Sequence, residues 1–396
     1  MSITPLQITA SSLVNAMGYG KQATLQALRD GASGLRACEF PGVEFETWTG
    51  QVEGLQDQAL APPWSGYDCR NNRLVKAGLD NDGFYQAVEV AKNRYGAHRI
   101  GLFLGTSTSG SGQTELAYQQ RSRKSGRLAE NFDLLKTHNT NSLLVFARLY
   151  LGLEGPGLTI ATACSSSAKV FAAASRYIEA GWCDAAIVGG VDSLCLTTLY
   201  GFNSLELVSK QPCRPWDKDR NGINVGEAAG FALLEKNRQD GGIALLGYGE
   251  SSDAYHMSTP HPHGEGAVLA MRQALGSAGL QASQIDYVNV HGTATRSNDA
   301  AEDRAMVSVF GTQTACSSSK GWTGHTLGAS GITEAIIAGM AIEHGFMPMS
   351  LNLQRQDPAL ASMLLTENTQ QPLTYAMSNS FGFGGTNCSL VLGRTP

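Results

Sequence analysis

The predicted helices and strands occur twice along the chain in the same order, and this repetition restricts the possible folds more than any other feature. In each half a helix leads into an apolar strand with a polar turn, a short strand and a small-residue helix follow, and a hairpin-like pair of strands ends the unit. In the first half these segments are Phe84–Tyr95, Ile100–Gly105, 158–163, 165–181, and 185–190 with 230–234. In the second half they are 267–278, 285–290, 314–319, 327–345, and 375–379 with 388–392.

Strands that alternate with helices predict a parallel sheet covered by helices, and the continuous apolar run 185–188 indicates burial on both faces. We therefore predict an α/β protein of duplicated halves packed as five layers, α/β/α/β/α. The polar segment 237–242 separates an N-terminal unit, residues 1–240, from a C-terminal unit, residues 241–396. Two unrelated α/β domains would give a similar pattern, so that alternative stays open.

The composition excludes several classes of protein. Of the 396 residues, 42% are hydrophobic and 16% are charged, which is typical of a chain with a substantial core. The net charge of -5 argues against binding of nucleic acid or an anionic membrane by the protein as a whole. No apolar run has the roughly 18 to 20 residues of a membrane span, and no basic leader precedes an apolar core near the N-terminus. We expect a cytoplasmic protein without nucleic-acid or membrane partners.

The eight cysteines are scattered along the chain without a CxxC pair. This spacing favours reduced, mostly buried thiols over a disulfide framework or a zinc site. His261 and His263 have metal-like spacing, but no group of carboxylates or cysteines accompanies them, so a surface loop is the better interpretation. We expect no metal.

One cysteine lies where sulfur is often reactive. The segment 161–167, ATACSSS, places Cys164 at a turn between a strand and a helix. Exposed amides and the positive end of the helix dipole favour the thiolate there, and the thiolate is the nucleophile. A buried structural thiol is the alternative, and this segment alone does not decide between the two.

Two histidines occupy comparable positions in the second half. His291 follows a strand of buried type and opens a Gly/Thr turn, and His325 lies just before the second small-residue helix. Ligands of open α/β sheets bind at the carboxyl ends of the strands, so the repeat brings Cys164, His291 and His325 to one rim. The pattern favours a Cys-His-His site, although a single histidine is more often structural.

Together these residues resemble the condensing enzymes of the thiolase fold, specifically the β-ketoacyl-acyl-carrier-protein synthases that elongate fatty-acyl and polyketide chains. The resemblance covers almost the whole chain, and its matches occur in the family's order. The matching segments are TACSS at 162–166, CRPWD at 213–217, GE at 226–227, DAYHM at 253–257, HGT at 291–293, residues 320–334, and NSFGFGGTN at 379–387.

The resemblance implies a thiolase-like fold and a decarboxylative Claisen condensation that gives a 3-oxoacyl chain and CO2. Cys164 would carry the acyl group, while His291 and His325 would assist malonyl decarboxylation and stabilise the enolate. Lys320 would set the electrostatics beside the histidines, with Glu334 as its partner, for which a purely structural ion pair is the favoured alternative. An oxyanion hole would come from the backbone N–H groups of Cys164 and Phe383.

The same resemblance implies a mobile gate. Phe383 would shield the acyl group and swing on Gly382 and Gly384, beside the loop that carries Asp253 and His256. Glycines on both sides of an aromatic residue suit such a movement. A tight turn around a core phenylalanine is the alternative.

The implied partner is an acyl carrier protein, whose phosphopantetheine arm would be held by Thr293 and Thr295; no other cofactor is expected. An acidic carrier would dock on a basic cluster. Arg70 and Arg73 lie three residues apart on a predicted helix and resemble the family's docking helix, whereas the cluster at 121–127 is the second candidate. Either cluster has the simpler interpretation of a solvated face.

The family's assembly is a dimer, here expected to form through strands around 185–188, with the segment 139–146 lining the partner's acyl tunnel. A homodimer and a heterodimer with a related ketosynthase-like subunit both stay open, as do fatty-acid and polyene or polyketide pathways. A non-catalytic chain-length-factor subunit lacks the nucleophile, which Cys164 supplies here. A degradative thiolase has a second cysteine before the final glycines, where this chain has Phe381 and Phe383.

Overall fold

The computed structural model describes residues 2–129, 132–236 and 242–395. The predicted boundary between residues 240 and 241 lies outside them. The strands are β1 (Leu6–Asn15), β2 (Gly18–Tyr19), β3 (Arg36–Ala37), β4 (Trp48–Gly50), β5 (Ile100–Gly105), β6 (Gly157–Ile160), β7 (Ala185–Asp192), β8 (Val225–Gly226), β9 (Ala228–Lys236), β10 (Ile243–Ser252), β11 (Tyr287–Asn289), β12 (Ala315–Ser317), β13 (Phe346–Met347), β14 (Thr369–Gln370), β15 (Tyr375–Gly382) and β16 (Thr386–Arg394).

The helices pack around these strands. They are α1 (Lys21–Asp30), α2 (Arg70–Asp80), α3 (Phe84–Tyr95), α4 (Ser111–Gln119), α5 (Ser142–Leu151), α6 (Ser166–Glu179), α7 (Leu196–Ser204), α8 (Glu265–Ala278), α9 (Arg296–Phe310), α10 (Lys320–Thr323) and α11 (Ser330–His344). Among the described residues, no helix combines the length and the apolar character needed to cross a bilayer.

The main sheet confirms the predicted repeat. Its strand order is β6-β5-β7-β9-β1 in one half and β12-β11-β15-β16-β10 in the other. Each half has two parallel pairings at its outer end, followed by two antiparallel ones. A short antiparallel pairing of Leu6 with Leu245 and Gln7 with Ala244 joins the halves. The hypothesis of two unrelated domains is therefore wrong.

The five predicted layers are also present. Helices α6 and α11 pack against each other and against strands of both half-sheets, and they share a core that includes Phe171 and Ile336. Helices α2, α3 and α5 cover the outer face of one half, and α8 and α9 cover that of the other. Because each β-strand of the centre faces a helix on both sides, β5 and β7 are buried along their whole length.

The predicted dimer contact at 185–188 is wrong in detail. These residues belong to β7, which is hydrogen-bonded to β5 on one side and to β9 on the other. A strand with both edges occupied cannot extend the sheet into a second subunit. The edge of this half-sheet is β6, which pairs with β5 alone among the described strands.

The central helices approach each other through small residues, and this generates a prediction. A Cβ atom at Gly331 would lie 2.4 Å from the backbone nitrogen of Ala168. Gly331→Ala should therefore lower the free energy of unfolding by about 2 kcal/mol, because the two helices must separate. Gly276→Ala on α8 is the control, since nothing lies within 4 Å of a Cβ atom at this position. This substitution should raise the free energy of unfolding by up to about 1 kcal/mol, because alanine favours a helix more than glycine does. Urea denaturation measures the stability of both variants. If the urea midpoint of Gly331→Ala equals that of the unaltered protein, the close packing of the two helices is contradicted.

Candidate active site

The turn that carries Cys164 is strained, and Cys164 itself is buried. It follows β6 and precedes α6, as predicted, and the residue before the cysteine, Ala163, has a φ of 51°. Non-glycine residues rarely adopt this left-handed conformation, which costs energy that the surrounding packing must supply. The Ser166 hydroxyl holds the turn by accepting from the Thr162 N–H (2.9 Å) and donating to the Ala163 carbonyl (2.6 Å).

The electrostatic state of the sulfur differs from the prediction. Burial raises the pKa of the Cys164 thiol to about 11, while the Lys320 charge and the Phe383 backbone N–H act in the opposite direction. The expected thiolate is therefore not the resting form at neutral pH, because the loss of solvation outweighs the position before the helix. Any chemistry at this sulfur has to remove the proton when a substrate arrives.

His325 is directed at the sulfur. Its Nε2 atom lies 3.0 Å from Cys164 Sγ, and its Nδ1 atom accepts the backbone N–H of Leu327 at 3.3 Å. A neutral ring whose Nδ1 accepts a hydrogen bond carries its proton on Nε2. His325 therefore presents an N–H donor to the space beside the sulfur.

His291 presents the same kind of donor from the end of a neighbouring strand of the same half-sheet. It follows β11, and its ring centroid lies 5.3 Å from that of His325. Its Nδ1 atom lies 3.3 Å from Lys320 Nζ, which has protons to donate, so the proton of the neutral ring again lies on Nε2. The reactive atoms of Cys164, His291 and His325 lie within 4.8 Å of one another, as the repeat predicted.

The two rings are held neutral. Burial lowers the pKa of both His291 and His325 well below 6.5, and the Lys320 ammonium lowers both further. Lys320 is buried, and it donates to the His291 carbonyl and, at 2.5 Å, to Glu334 Oε1. Burial raises the pKa of Glu334 to about 7, against the effect of its lysine partner. The positive charge of Lys320 thus disfavours protonation of both imidazole rings.

The sequence interpretation missed the carboxylates that hold the turn after β11. Glu302 on α9 accepts the backbone N–H groups of His291 (2.7 Å) and Gly292 (2.8 Å), and Asp299 accepts that of Ala294 (3.2 Å). Burial raises the pKa of Glu302 to about 7 and that of Asp299 to about 6. Their sequence signal was an acidic pair one helical turn apart in the helix that follows the HGT turn.

Asp192 was missed as well. It ends β7, is fully buried, and accepts the N–H groups of Ser107 and Thr108 from the first half and of Gly328 (2.6 Å) from the second. The polar turn after β5 is therefore a structural turn, held by the Asp192 carboxylate. Asp192 joins that turn to the segment that follows His325.

A pocket opens beside Cys164, His291 and His325, which all line it. Its wall is apolar on one side, where Phe202, Leu207 and Ile223 lie, and polar on the other, where the residues around α9 lie. Thr293 and Thr295 both line it, and their hydroxyl oxygens are 2.9 Å apart. This position fits the role that the resemblance implies for them.

Phe383 lies at the pocket wall, half-buried, with its ring centroid 5.7 Å from that of Phe202. The two glycines beside Phe383 differ in the space around their Cβ positions. Gly384 has a φ of 83° and open space around its Cβ position, and its N–H donates to the Met257 carbonyl at 2.7 Å. Gly382 is packed, since a Cβ there would lie 2.9 Å from the Thr162 carbonyl oxygen. The loop that follows Asp253 is thus in contact with the segment that carries Phe383, as expected.

The remaining predicted site residues either lie outside the pocket or are bound to other side chains of this protein. Asp253 lines the pocket and accepts the side-chain amide of Asn387 at 2.7 Å. His256 is exposed and is not among the residues that line it. Arg70 is bound to the buried Glu227, and Arg73 to Asp68 at 2.7 Å, so neither presents the free charge expected of a docking site.

Comparison with known proteins identifies relatives along the whole chain. Residues 74–240 match the family model "Beta-ketoacyl synthase, N-terminal domain", and residues 243–354 match "Beta-ketoacyl synthase, C-terminal domain". The 3-oxoacyl-[acyl-carrier-protein] synthase 2 of Vibrio cholerae is 32% identical over 100% of both chains. The mitochondrial 3-oxoacyl-[acyl-carrier-protein] synthase of Arabidopsis thaliana is 42% identical over 97% of this chain and 92% of its own.

A solved structure is also similar. One chain of the complex between the ketosynthase ApeO and its chain length factor ApeC from Xenorhabdus doucetiae superposes with a TM-score of 0.89. It is 38% identical, and the match covers 99% of this chain and 98% of that one.

The hydrogen bonds of the two rings predict their protonation. At pH 6, His291 and His325 should both be neutral with the proton on Nε2, because burial and Lys320 hold their pKa values well below 6.5. Nitrogen-15 NMR of the imidazole rings measures this directly. In Lys320→Met the pKa of each ring should move upward, since the opposing charge is gone. A charged imidazolium in the unaltered protein at pH 6 would refute the assignment.

Proposed function

The chain belongs to the β-ketoacyl synthase family, and from this premise we propose how its own residues perform the family's reaction. The enzyme is an acyltransferase that forms a carbon–carbon bond: an acyl group condenses with malonyl-ACP to give 3-oxoacyl-ACP and CO2. The observation that carries the assignment of residues is the approach of His325 Nε2 to Cys164 Sγ at 3.0 Å, with His291 beside it.

In the first step Cys164 takes the acyl group from a carrier thioester. The sulfur attacks the thioester carbon, the bond to the carrier sulfur breaks, and the thiol proton leaves with the carrier as its free thiol. The His325 N–H stabilises the sulfur as it loses its proton. The backbone N–H groups of Cys164 and Phe383 bind the oxygen of the tetrahedral intermediate, and one such donor contributes about 3 to 4 kcal/mol.

In the second step the malonyl carboxylate leaves as CO2, and its electron pair forms an enolate at the thioester. The Nε2–H groups of His291 and His325 donate to the enolate oxygen, where the charge develops. The enolate carbon then attacks the acyl carbon, and the bond to Cys164 breaks. Neutral donors suit this task, because a charged imidazolium would hold the enolate too tightly to react and would bind the malonyl carboxylate.

Lys320 and Glu334 position His291 and do not touch substrate. The ammonium fixes the ring by its bonds to Nδ1 and to the backbone carbonyl, and Glu334 neutralises it at 2.5 Å. A buried lysine needs such a partner, since an isolated charge in the core is costly.

Thr293 and Thr295 bind the phosphopantetheine arm, the group that carries the substrate, and Phe383 closes the pocket over the acyl-cysteine. The Gly384 position provides the backbone freedom for this movement. Asp253 supports the gate from behind by its bond to Asn387 and by accepting the His261 N–H at 3.0 Å.

The subunits pair along the free edge of β6, where Leu158 is exposed and α5 packs beside the strand. The segment 139–146 lies next to this edge, since Asn141 accepts the Thr159 hydroxyl at 2.9 Å, and it lines the partner's acyl tunnel. The second subunit is either a copy of this chain or a chain-length-factor-like partner, and the similarity to a chain of the ApeO–ApeC complex favours the second arrangement. All eight cysteines are free, which fits a reducing cytoplasm.

The roles of the cysteine and the histidines separate in activity assays. Cys164→Ala should abolish condensation, below one thousandth of the parental rate, yet retain malonyl-ACP decarboxylation, because the enolate donors remain. His291→Ala and His325→Ala should each lower decarboxylation by about 100-fold or more. Cys38→Ala, at a half-buried cysteine away from the pocket, is the control.

Intact-protein mass spectrometry adds a direct readout of the acyl group. A carrier-bound acyl donor should add its mass to the unaltered chain and to Cys38→Ala, but not to Cys164→Ala. Decarboxylation at the parental rate in the histidine variants would overturn the enolate assignment.

The gate has its own test. In Phe383→Ala the acyl-cysteine should stay open to water and to early entry of the extender, so the ratio of malonyl decarboxylation to condensation should rise several-fold. Gly384→Ala should slow turnover by about tenfold, because alanine at a φ of 83° costs roughly 1 to 2 kcal/mol. Gly276→Ala serves as the control. An unchanged product ratio in Phe383→Ala would contradict the gating role.

A further inference from the structure

The buried Asp192 carboxylate connects a turn of the first half to a turn of the second. Its Oδ1 atom accepts the Thr106 hydroxyl at 2.6 Å and the N–H groups of Ser107 and Thr108 at 2.8 and 2.9 Å. Its Oδ2 atom accepts the N–H of Gly328, from the second half, at 2.6 Å. One carboxylate therefore sets the distance between the turn after β5 and the turn after His325.

The contact between Asp192 and Gly328 is close, and the backbone before it is strained. A Cβ atom at Gly328 would lie 2.8 Å from Asp192 Oδ2 and 2.7 Å from the Ser107 backbone nitrogen, so glycine is needed for this approach. The preceding residue, Leu327, has a φ of 53°, in the left-handed region that leucine rarely adopts. Such a conformation persists only where the surrounding contacts impose it, and the bond from Gly328 to Asp192 is one of them.

The strained residue is the one that holds the His325 ring. The Leu327 N–H donates to His325 Nδ1 at 3.3 Å. The Ser330 hydroxyl lies 3.1 Å from the same atom, but a hydroxyl can either donate or accept. The Leu327 N–H can only donate, so it decides that the proton of the neutral ring lies on Nε2, 3.0 Å from Cys164 Sγ.

The other side of the Asp192 carboxylate holds the backbone next to Cys164. The Thr106 N–H donates to the Ile160 carbonyl at 3.2 Å, at the end of β6. The Ser166 hydroxyl, which holds the Cys164 turn, lies 3.4 Å from the Thr106 carbonyl oxygen. Asp192 itself is not among the residues that line the pocket. It is thus connected to both the sulfur and the imidazole through short stretches of backbone.

A carboxylate suits this position because both of its oxygens accept and every group that it holds donates. An asparagine of nearly the same shape has one accepting oxygen and one NH2 group, which can only donate. The NH2 group would have to face either the turn after β5 or the Gly328 N–H, donor against donor. The tie between the two turns would therefore be lost, although the volume of the side chain is kept.

We propose that Asp192 is a positioning residue, which holds the His325 imidazole with its proton on Nε2. It acts through the backbone of Gly328 and Leu327 and does not touch substrate. The consequence for catalysis rests on the proposed function, because the enolate is stabilised only by a ring nitrogen that carries a proton. The tautomer of the ring is a property of the resting protein and can be measured without substrate.

Asp192→Asn tests this proposal with little change of shape. In nitrogen-15 NMR, His325 should change from the form with its proton on Nε2 to a mixture of the two neutral forms, whereas His291 should be unchanged. The signals of His325 are those missing from the spectrum of His325→Ala. In the same variant kcat for malonyl-ACP decarboxylation should fall by about tenfold or more with KM within about twofold, because the loss falls on the transition state.

Gly328→Ala disturbs the same contact from the other side, because its Cβ atom would press against Asp192 Oδ2. It should give the same change in the NMR signals of His325, and it carries the test if Asp192→Asn does not fold. Gly276→Ala is the matched control for this substitution, since a Cβ atom there meets nothing within 4 Å.

Asp303→Asn is the matched control for Asp192→Asn. Asp303 is also a buried carboxylate that accepts backbone N–H groups, those of Ala361 at 3.0 Å and Ser362 at 2.8 Å. It does not line the pocket, and none of its hydrogen bonds within the described ranges goes to the turns next to the two histidines. Its variant should lose a similar amount of stability in urea, with unchanged His325 signals and unchanged decarboxylation.

The results distinguish positioning from general stability. If His325 keeps its proton on Nε2 in Asp192→Asn and in Gly328→Ala, or if Asp303→Asn changes the His325 signals equally, the positioning role is wrong. Decarboxylation at the parental rate despite a changed tautomer would overturn its importance for the reaction. If the unaltered enzyme does not decarboxylate malonyl-ACP, the proposed function is wrong, while the NMR spectra still decide the role of Asp192.

Discussion

The close contact of the two central helices is the constraint from which the rest of the site follows. Helix α6 carries Cys164 just before its first turn, and α11 carries His325 just before its own. Because Gly331 of α11 lies against the backbone of Ala168, the two helix starts meet with only small residues between them. The turns that precede the two helices therefore lie side by side. This places the Cys164 sulfur and the His325 imidazole within hydrogen-bond distance. A larger residue at either position would separate the Cys164 sulfur from the His325 imidazole.

Burial where the two helices meet shifts the pKa values of the thiol and of the imidazoles, with opposite consequences for the proposed reaction. It raises the pKa of the thiol, which disfavours the nucleophile, and it lowers the pKa of both imidazoles, which favours neutral donors. The Lys320 ammonium acts in the useful direction on all three groups, since it favours the thiolate and disfavours imidazolium. One buried cation, paired with Glu334, therefore acts on three side chains at once, although a lysine in the core is costly.

The sequence could predict the duplicated fold and the meeting of Cys164, His291 and His325 because each depends on local patterns. Helix and strand periodicity located four of the five strands of each half-sheet, whereas β1 and β10 were not predicted. The strand-to-helix turns located Cys164 and His325. Predictions failed where a partner lay far along the chain. Arg70 looked like a solvated charge, yet its carboxylate, Glu227, is 157 residues away. The run 185–188 looked like an interface strand, yet β9 returns after more than thirty residues to cover its edge.

The carboxylates that the sequence interpretation missed share one physical role. Asp192, Glu302 and Asp299 each accept backbone N–H groups of a turn that no strand or helix can satisfy, and each is buried while doing so. A side-chain acceptor in the core imposes a fixed geometry on the turn, because releasing it would leave two or more buried N–H groups without partners. Reactive side chains that project from such turns are therefore held by the backbone beneath them.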